Sequence, residues 1–220
     1  MRVAIRGFGE LLITIGVVLL LFAGYQLWWT NVRSQAASAR NTELIIETWQ
    51  AAPAAPSSPT AEPTAGEGIA LMTIPRIGDD VTDEPVLEGV SLDVLAQGLG
   101  HYPNTALPGE TGNFAVAGHR ATNGEPLRNI DQLQIGDLIY VQTQESWFVY
   151  RLFRDQIVTP NDDWVVSVRP FPEEPAISNR LLTITTCHPR WGSTERWIWW
   201  GDLISATPKS AGAPVMAVSG

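Results

Sequence analysis

Residues 11–29, Leu-Leu-Ile-Thr-Ile-Gly-Val-Val-Leu-Leu-Leu-Phe-Ala-Gly-Tyr-Gln-Leu-Trp-Trp, are uncharged and almost wholly apolar. Such a run is roughly 20 residues long, the length at which a helix crosses the hydrocarbon core of a bilayer. Arg2 and Arg6 precede it, Trp28 and Trp29 close it where indole rings favour the headgroup layer, and Arg33 and Arg40 follow, so flanking charge orients it only weakly. A cleaved signal peptide has a shorter apolar core of about 7–15 residues. The pattern therefore favours an uncleaved anchor over cleavage at the small-residue stretch Ala37-Ser38-Ala39, and either way the remainder is exported.

Past the anchor the pattern changes twice. Leu44, Ile45 and Ile46 among polar neighbours allow the helix to continue over 42–50. Residues 51–68 are Pro, Ala, Ser and Thr with almost no large apolar side chain, which cannot bury a core and reads as an extended linker. Beyond it, short runs of β-branched and aromatic residues are punctuated by Gly, Pro and Asn. They predict strands at 70–77, 84–90, 113–117, 138–142, 147–157, 164–168, 181–187 and 196–206. Ser91 is a suitable N-cap for a helix over 92–99, and a second helical turn is expected near 127–133. The fold class is thus all-β, a sandwich or a barrel whose closure removes exposed edges. The expected organisation is a short cytoplasmic segment 1–10, a transmembrane anchor 11–29, an extracytoplasmic stalk and linker 30–68, a folded domain 69–207 and a flexible tail 208–220.

Composition narrows the chemistry. With a net charge of −9 and no basic stripe, the chain lacks the clustered Lys and Arg that displace counterions from nucleic acid. One cysteine and three histidines leave no CxxC pair and no disulfide framework, and a metal centre is not expected. A lone cysteine is ordinarily a small buried hydrophobe. Cys187, however, ends the apolar run Leu181-Leu-Thr-Ile-Thr-Thr186 just before His188-Pro189, a strand end at a domain rim. Because an isolated thiol is mostly protonated at neutral pH, a nucleophilic cysteine needs a partner base. His188 is the weakest candidate, since adjacent side chains on a strand point to opposite faces. His119, at the end of the apolar run 113–118, and His101 remain. Cys187 and Arg196 are symmetric about Trp191-Gly192; a hairpin centred there sets them directly opposite, where an arginine stabilises a thiolate or an oxyanion. A solvent-facing Arg196, or Arg190 in that role, are the alternatives.

Taken together these segments resemble the sortases. Thr183-Ile184-Thr185-Thr186-Cys187 is similar to the sortase signature Thr-Leu-x-Thr-Cys, Ala117-Gly118-His119-Arg120 to the histidine segment, and Arg196 falls where the family places its arginine. His101-Tyr102-Pro-Asn-Thr-Ala-Leu-Pro-Gly and Thr186-Cys187-His188-Pro189-Arg190 look most like class E sortases of high-GC Gram-positive bacteria. The resemblance implies a closed eight-stranded β-barrel behind an N-terminal membrane anchor and no metal or organic cofactor, with Cys187 as nucleophile, His119 as acid/base residue and Arg196 as anion stabiliser. Thr186 and Tyr102 would serve substrate binding. It further implies cleavage between Thr and Gly of a C-terminal sorting signal, Leu-Ala-x-Thr-Gly or Leu-Pro-x-Thr-Gly in type, and transfer of an exported protein to an amino group of a peptidoglycan precursor. The missing Asp-Pro-aromatic lid favours general wall anchoring over pilus assembly. Two other readings stand beside it. An L,D-transpeptidase or papain-like peptidase also pairs Cys with His, but the Ser-x-Gly-Cys segment of the former is missing and His119 precedes Cys187, against the order of the latter. A non-enzymatic exported β-domain with a buried Cys187 is the third.

Overall fold

The computed structural model describes residues 2–51, 62–78, 81–174 and 177–216. Helix α1 (Arg2–Ala51) is a single continuous rod. It carries no proline until Pro53, and its apolar part, long enough to cross a membrane, is unburied by the rest of the chain. Eight strands follow: β1 (Gly68–Thr73), β2 (Glu84–Glu88), β3 (Leu99–His101), β4 (Gly112–Ala117), β5 (Leu138–Gln142), β6 (Ser146–Val158), β7 (Arg180–His188) and β8 (Glu195–Pro208). They close into a barrel in the order β1-β2-β3-β4-β7-β8-β6-β5. Contacts β2/β3 and β4/β7 are parallel and the others antiparallel. A parallel neighbour requires a crossover, and β5 and β6 lie within the one that joins β4 to β7.

Alternation along each strand sorts the side chains. On β7, Leu182 and Ile184 enter the barrel core with Phe114, Val116, Tyr150 and Trp199. The intervening Thr183, Thr185 and Cys187 therefore face outward. On β8 the outward Ile198 and Trp200 pack with Val158 and Val165 in a second cluster, beneath the segment joining β6 to β7. That outer shelf carries the candidate site.

Two expectations are corrected, and the stalk gains a structure. The helix predicted over 92–99 stops after one turn, α2 (Leu92–Leu95), capped by the Ser91 hydroxyl that accepts from the Val94 amide. Gly98 then lets the chain pass so close to β2 that a Cβ there would lie 2.5 Å from the Pro85 carbonyl oxygen, and β3 begins at Leu99. Residues 164–168 are not a strand: Asp163–Val166 form a 3-10 turn, held by Val165 in the outer cluster and by Trp164 stacked on Trp200, ring centroids 5.8 Å apart. Residues 30–51, assigned to the stalk, are helical and lie against the barrel. Ile45 is buried with Leu71, Leu87 and Val94, with Trp49 packed alongside, and Thr42 donates to the Asp83 carbonyl at 3.0 Å. The Pro/Ala-rich linker falls largely on residues 52–61, outside the described residues. Of the tail, 217–220 lie outside them too, while the Val215 carbonyl accepts a hydrogen bond from Tyr140 at 3.1 Å.

Candidate active site

Cys187 and Arg196 are direct register partners on β7 and β8, as the symmetry about Trp191-Gly192 predicts. Both sit on the outward face and both are partly exposed. The Arg196 guanidinium donates through Nη1 to the carbonyls of Ser193 (3.0 Å) and Glu195 (2.9 Å), which hold it at the base of the loop joining the two strands.

His119 arrives from the other side of β7. Strands β4 and β7 run in parallel register, Ala115 beside Thr183 and Ala117 beside Thr185. Beyond the strand the pairing persists: the Gly118 amide donates to the Thr185 carbonyl at 3.1 Å, and the Thr186 hydroxyl to the Gly118 carbonyl at 2.8 Å. Continued two residues past Ala117 and Thr185, this register predicts His119 alongside Cys187. Burial pushes the His119 pKa below the ordinary imidazole value, favouring the neutral ring. Its Nε2 is buried with no hydrogen-bond partner among the described residues.

The other histidines are committed elsewhere. His101 is buried on β3, next to β4 and thus two strands from β7. Its Nδ1 donates to Glu88 at 2.6 Å, and its Nε2 lies 2.9 Å from the Thr105 hydroxyl. His188 accepts on Nδ1 from Arg120 Nη1 at 2.9 Å and meets Trp197 edge-on.

The two residues expected to bind substrate part company. Tyr102 reaches the shelf, its hydroxyl 2.9 Å from that of Thr185. With Thr185, Arg196, Thr159, Asp162 and Val166 it lines a small cleft of about 70 Å³. Thr186 lies by alternation on the opposite face from Cys187, where it is 3% exposed and its hydroxyl donates to the Gly118 carbonyl, fixing the backbone that leads into His119.

Arg120 is a residue to which the sequence analysis gives no role. It is buried between the two motifs, bonded to His188, paired with Asp131 at 3.4 Å and laid over Trp197 at 5.0 Å from the ring centroid. Its place directly after His119 was the available signal, but His188 and Trp197 come from β7 and β8, far along the chain. No cluster of His, Cys, Asp and Glu able to hold a metal occurs among the described residues.

Residues 72–204 match the sortase domain family. Over 226 aligned residues the chain is 41% identical to sortase SrtE1 of Streptomyces coelicolor, covering 99% of this chain and 62% of that protein's length. It is 32% identical to SrtE2 of the same organism, covering 91% of this chain and 82% of that one. Among solved structures, sortase E of Streptomyces avermitilis superposes with a TM-score of 0.62 at 40% identity, over 70% of this chain and 98% of that one. Sortase E1 of Streptomyces coelicolor, solved with a tripeptide in its active site, gives 0.62 at 35% identity, over 71% and 99%. The barrel order, the shelf that joins three motifs from three strands and these likenesses converge: the chain belongs to the sortase family of cysteine transpeptidases, alongside its class E members.

Proposed function

We propose that this chain is a single-pass, membrane-anchored transpeptidase whose catalytic domain faces the outside of the cell. It cleaves a C-terminal sorting signal of the Leu-Ala-x-Thr-Gly or Leu-Pro-x-Thr-Gly type between Thr and Gly, and transfers the exported protein to an amino group of a peptidoglycan precursor. The observation that carries the reading is the register: Cys187 lies opposite Arg196 on β8, and β4, whose end leads into His119, runs parallel beside β7.

In the first half-reaction the Cys187 sulfur attacks the threonine carbonyl while neutral His119 takes the thiol proton. Arg196 offers its guanidinium to the oxyanion of the tetrahedral intermediate. Collapse breaks the Thr–Gly bond, and His119 passes its proton to the departing glycine amine, leaving a thioester on Cys187. In the second half-reaction an incoming amine attacks that thioester and His119 accepts the amine's proton. The amide forms, and the proton returns to the sulfur as it leaves. The lowered pKa of His119 and its unpartnered Nε2 suit a proton carrier that begins each cycle neutral. Tyr102 and the cleft it lines would hold the residues preceding the scissile bond, in keeping with the tripeptide bound in the active site of Streptomyces coelicolor sortase E1.

The test is intact-mass spectrometry of the protein after incubation with Leu-Ala-x-Thr-Gly and Leu-Pro-x-Thr-Gly peptides, with amine withheld. An adduct on Cys187 that lacks the glycine fragment is expected, and its relative yield ranks the two signals. An unmodified Cys187 with both peptides intact would refute the reading.

A further inference from the structure

We propose that the loop joining β7 to β8, with Trp191 at its tip, is seated in the lipid headgroup layer of the membrane that α1 spans, so that the catalytic shelf opens at the bilayer surface. The proposal rests on the reading of residues 11–29 as a transmembrane anchor. Trp28 and Trp29 mark where that span leaves the hydrocarbon. Asn31 follows two residues later, about 3 Å farther along the helix at roughly 1.5 Å per residue. Its side chain is locked to the barrel there: the amide nitrogen donates to Glu125 at 2.6 Å and the oxygen accepts from the Gly124 amide at 3.1 Å. The same Glu125 carboxylate accepts from Arg190 Nη2 at 2.7 Å. One carboxylate thus separates the exit of the span from the loop that follows Cys187.

The headgroup layer is about 5–7 Å thick on each side, so Arg190 lies at its level. Trp191, next in the chain, is 73% exposed, and the Arg190 guanidinium covers its ring at 5.0 Å from the centroid. An exposed indole beside an arginine has the chemistry of the membrane interface, an apolar body with a polar edge and a cation for phosphate. Nothing else in the described structure covers the indole. A site held at this height acts on polypeptide that is itself close to the membrane.

The experiment exploits the single cysteine. Full-length Cys187→Ala/Trp191→Cys protein, labelled with an environment-sensitive fluorophore, is reconstituted into phosphatidylcholine vesicles containing phosphatidylglycerol and headgroup spin-labelled lipid. The control label replaces Glu145, exposed in the turn between β5 and β6. Its neighbour Gln144 donates to the Trp49 carbonyl at 3.5 Å, and Trp49 lies about 30 Å along α1 from Trp29 at roughly 1.5 Å per residue. Quenching several-fold stronger at position 191 than at 145, with a blue-shifted emission, is expected. Equal, weak quenching at both positions in protein that floats with the vesicles would overturn the seating while leaving the anchor intact. Protein that fails to float with the vesicles would overturn the anchor, and the seating with it.

Discussion

At the scale of single residues, the register of β4, β7 and β8 makes unequal demands on the three site residues. In the proposed mechanism Cys187 forms the covalent bond, so Cys187→Ala should give no adduct and no turnover above the peptide's spontaneous hydrolysis, read by chromatography of the cleaved fragments. Proton transfer by a placed side chain contributes about 10²–10⁴-fold, and His119→Gln should lose kcat in that range. The pH profile carries a sharper signature. Only neutral His119 can take the thiol proton, so kcat/KM falls as pH drops through its pKa, and burial sets that midpoint below about 6.5. An acid limb centred above that value would contradict the assignment. Arg196→Ala should cost about 10²–10³-fold, as removal of an oxyanion donor does, and Arg196→Lys should recover only part, because an ammonium lacks the planar fork that spans two acceptors. The pairing of Cys187 with Arg196 was readable from sequence because a hairpin is local and its centre can be counted. The choice of His119 over His101 was not readable from strand ends alone. Both end short strands, and what separates them is the parallel contact of β4 with β7, formed across more than sixty residues of intervening chain. Alternation alone already sends the Thr186 side chain to the face opposite Cys187.

At the scale of elements, the docked half of α1 is the feature that pattern alone left open. Leu44, Ile45 and Ile46 permitted a longer helix but did not say what it would meet. The answer is a notch at Gly68, where a Cβ would stand 2.3 Å from Ile45 Cγ1. Gly68→Val should therefore force the helix off β1, seen as faster proteolysis within 30–51. Beside this contact Glu84 faces the helix, its carboxyl bonded to Ser38 and pushed up to about 7 by burial. Glu43, Asp83 and Arg128 line the same cavity. A raised carboxyl pKa gives its full stability below the unfolded value of 4.5 and loses it as pH rises through about 7. Glu84→Gln should accordingly match the parent's melting temperature near pH 4 and exceed it near pH 8. Strand β3 escaped the pattern because it has three residues, one of them glycine, too few to show alternation. The 3-10 turn at Asp163–Val166 imitated a strand because its aromatic and β-branched residues are drawn to the outer cluster rather than to a ladder.

At the scale of the whole molecule, the barrel carries all three site residues, while α1 sets where the barrel stands. These contributions can be separated by comparing two soluble forms, one beginning at residue 30 and one at residue 62. The shorter form strips Ile45 and Trp49 from Leu71, Leu87 and Val94. At roughly 1.5–3 kcal/mol for a fully buried side chain, less for the partly exposed Trp49, the loss is about 2–4 kcal/mol. At about 2–4 °C per kcal/mol for a chain of this size, that is a fall in melting temperature of roughly 5–15 °C by calorimetry. Turnover of a free sorting-signal peptide below that transition should stay within a few-fold, because no register contact among β4, β7 and β8 involves α1. A soluble form that keeps its stability but loses turnover would assign the helix a part in the chemistry. The opposite result, stability lost and chemistry kept, is what a barrel built as a self-sufficient site and held in position by its anchor requires.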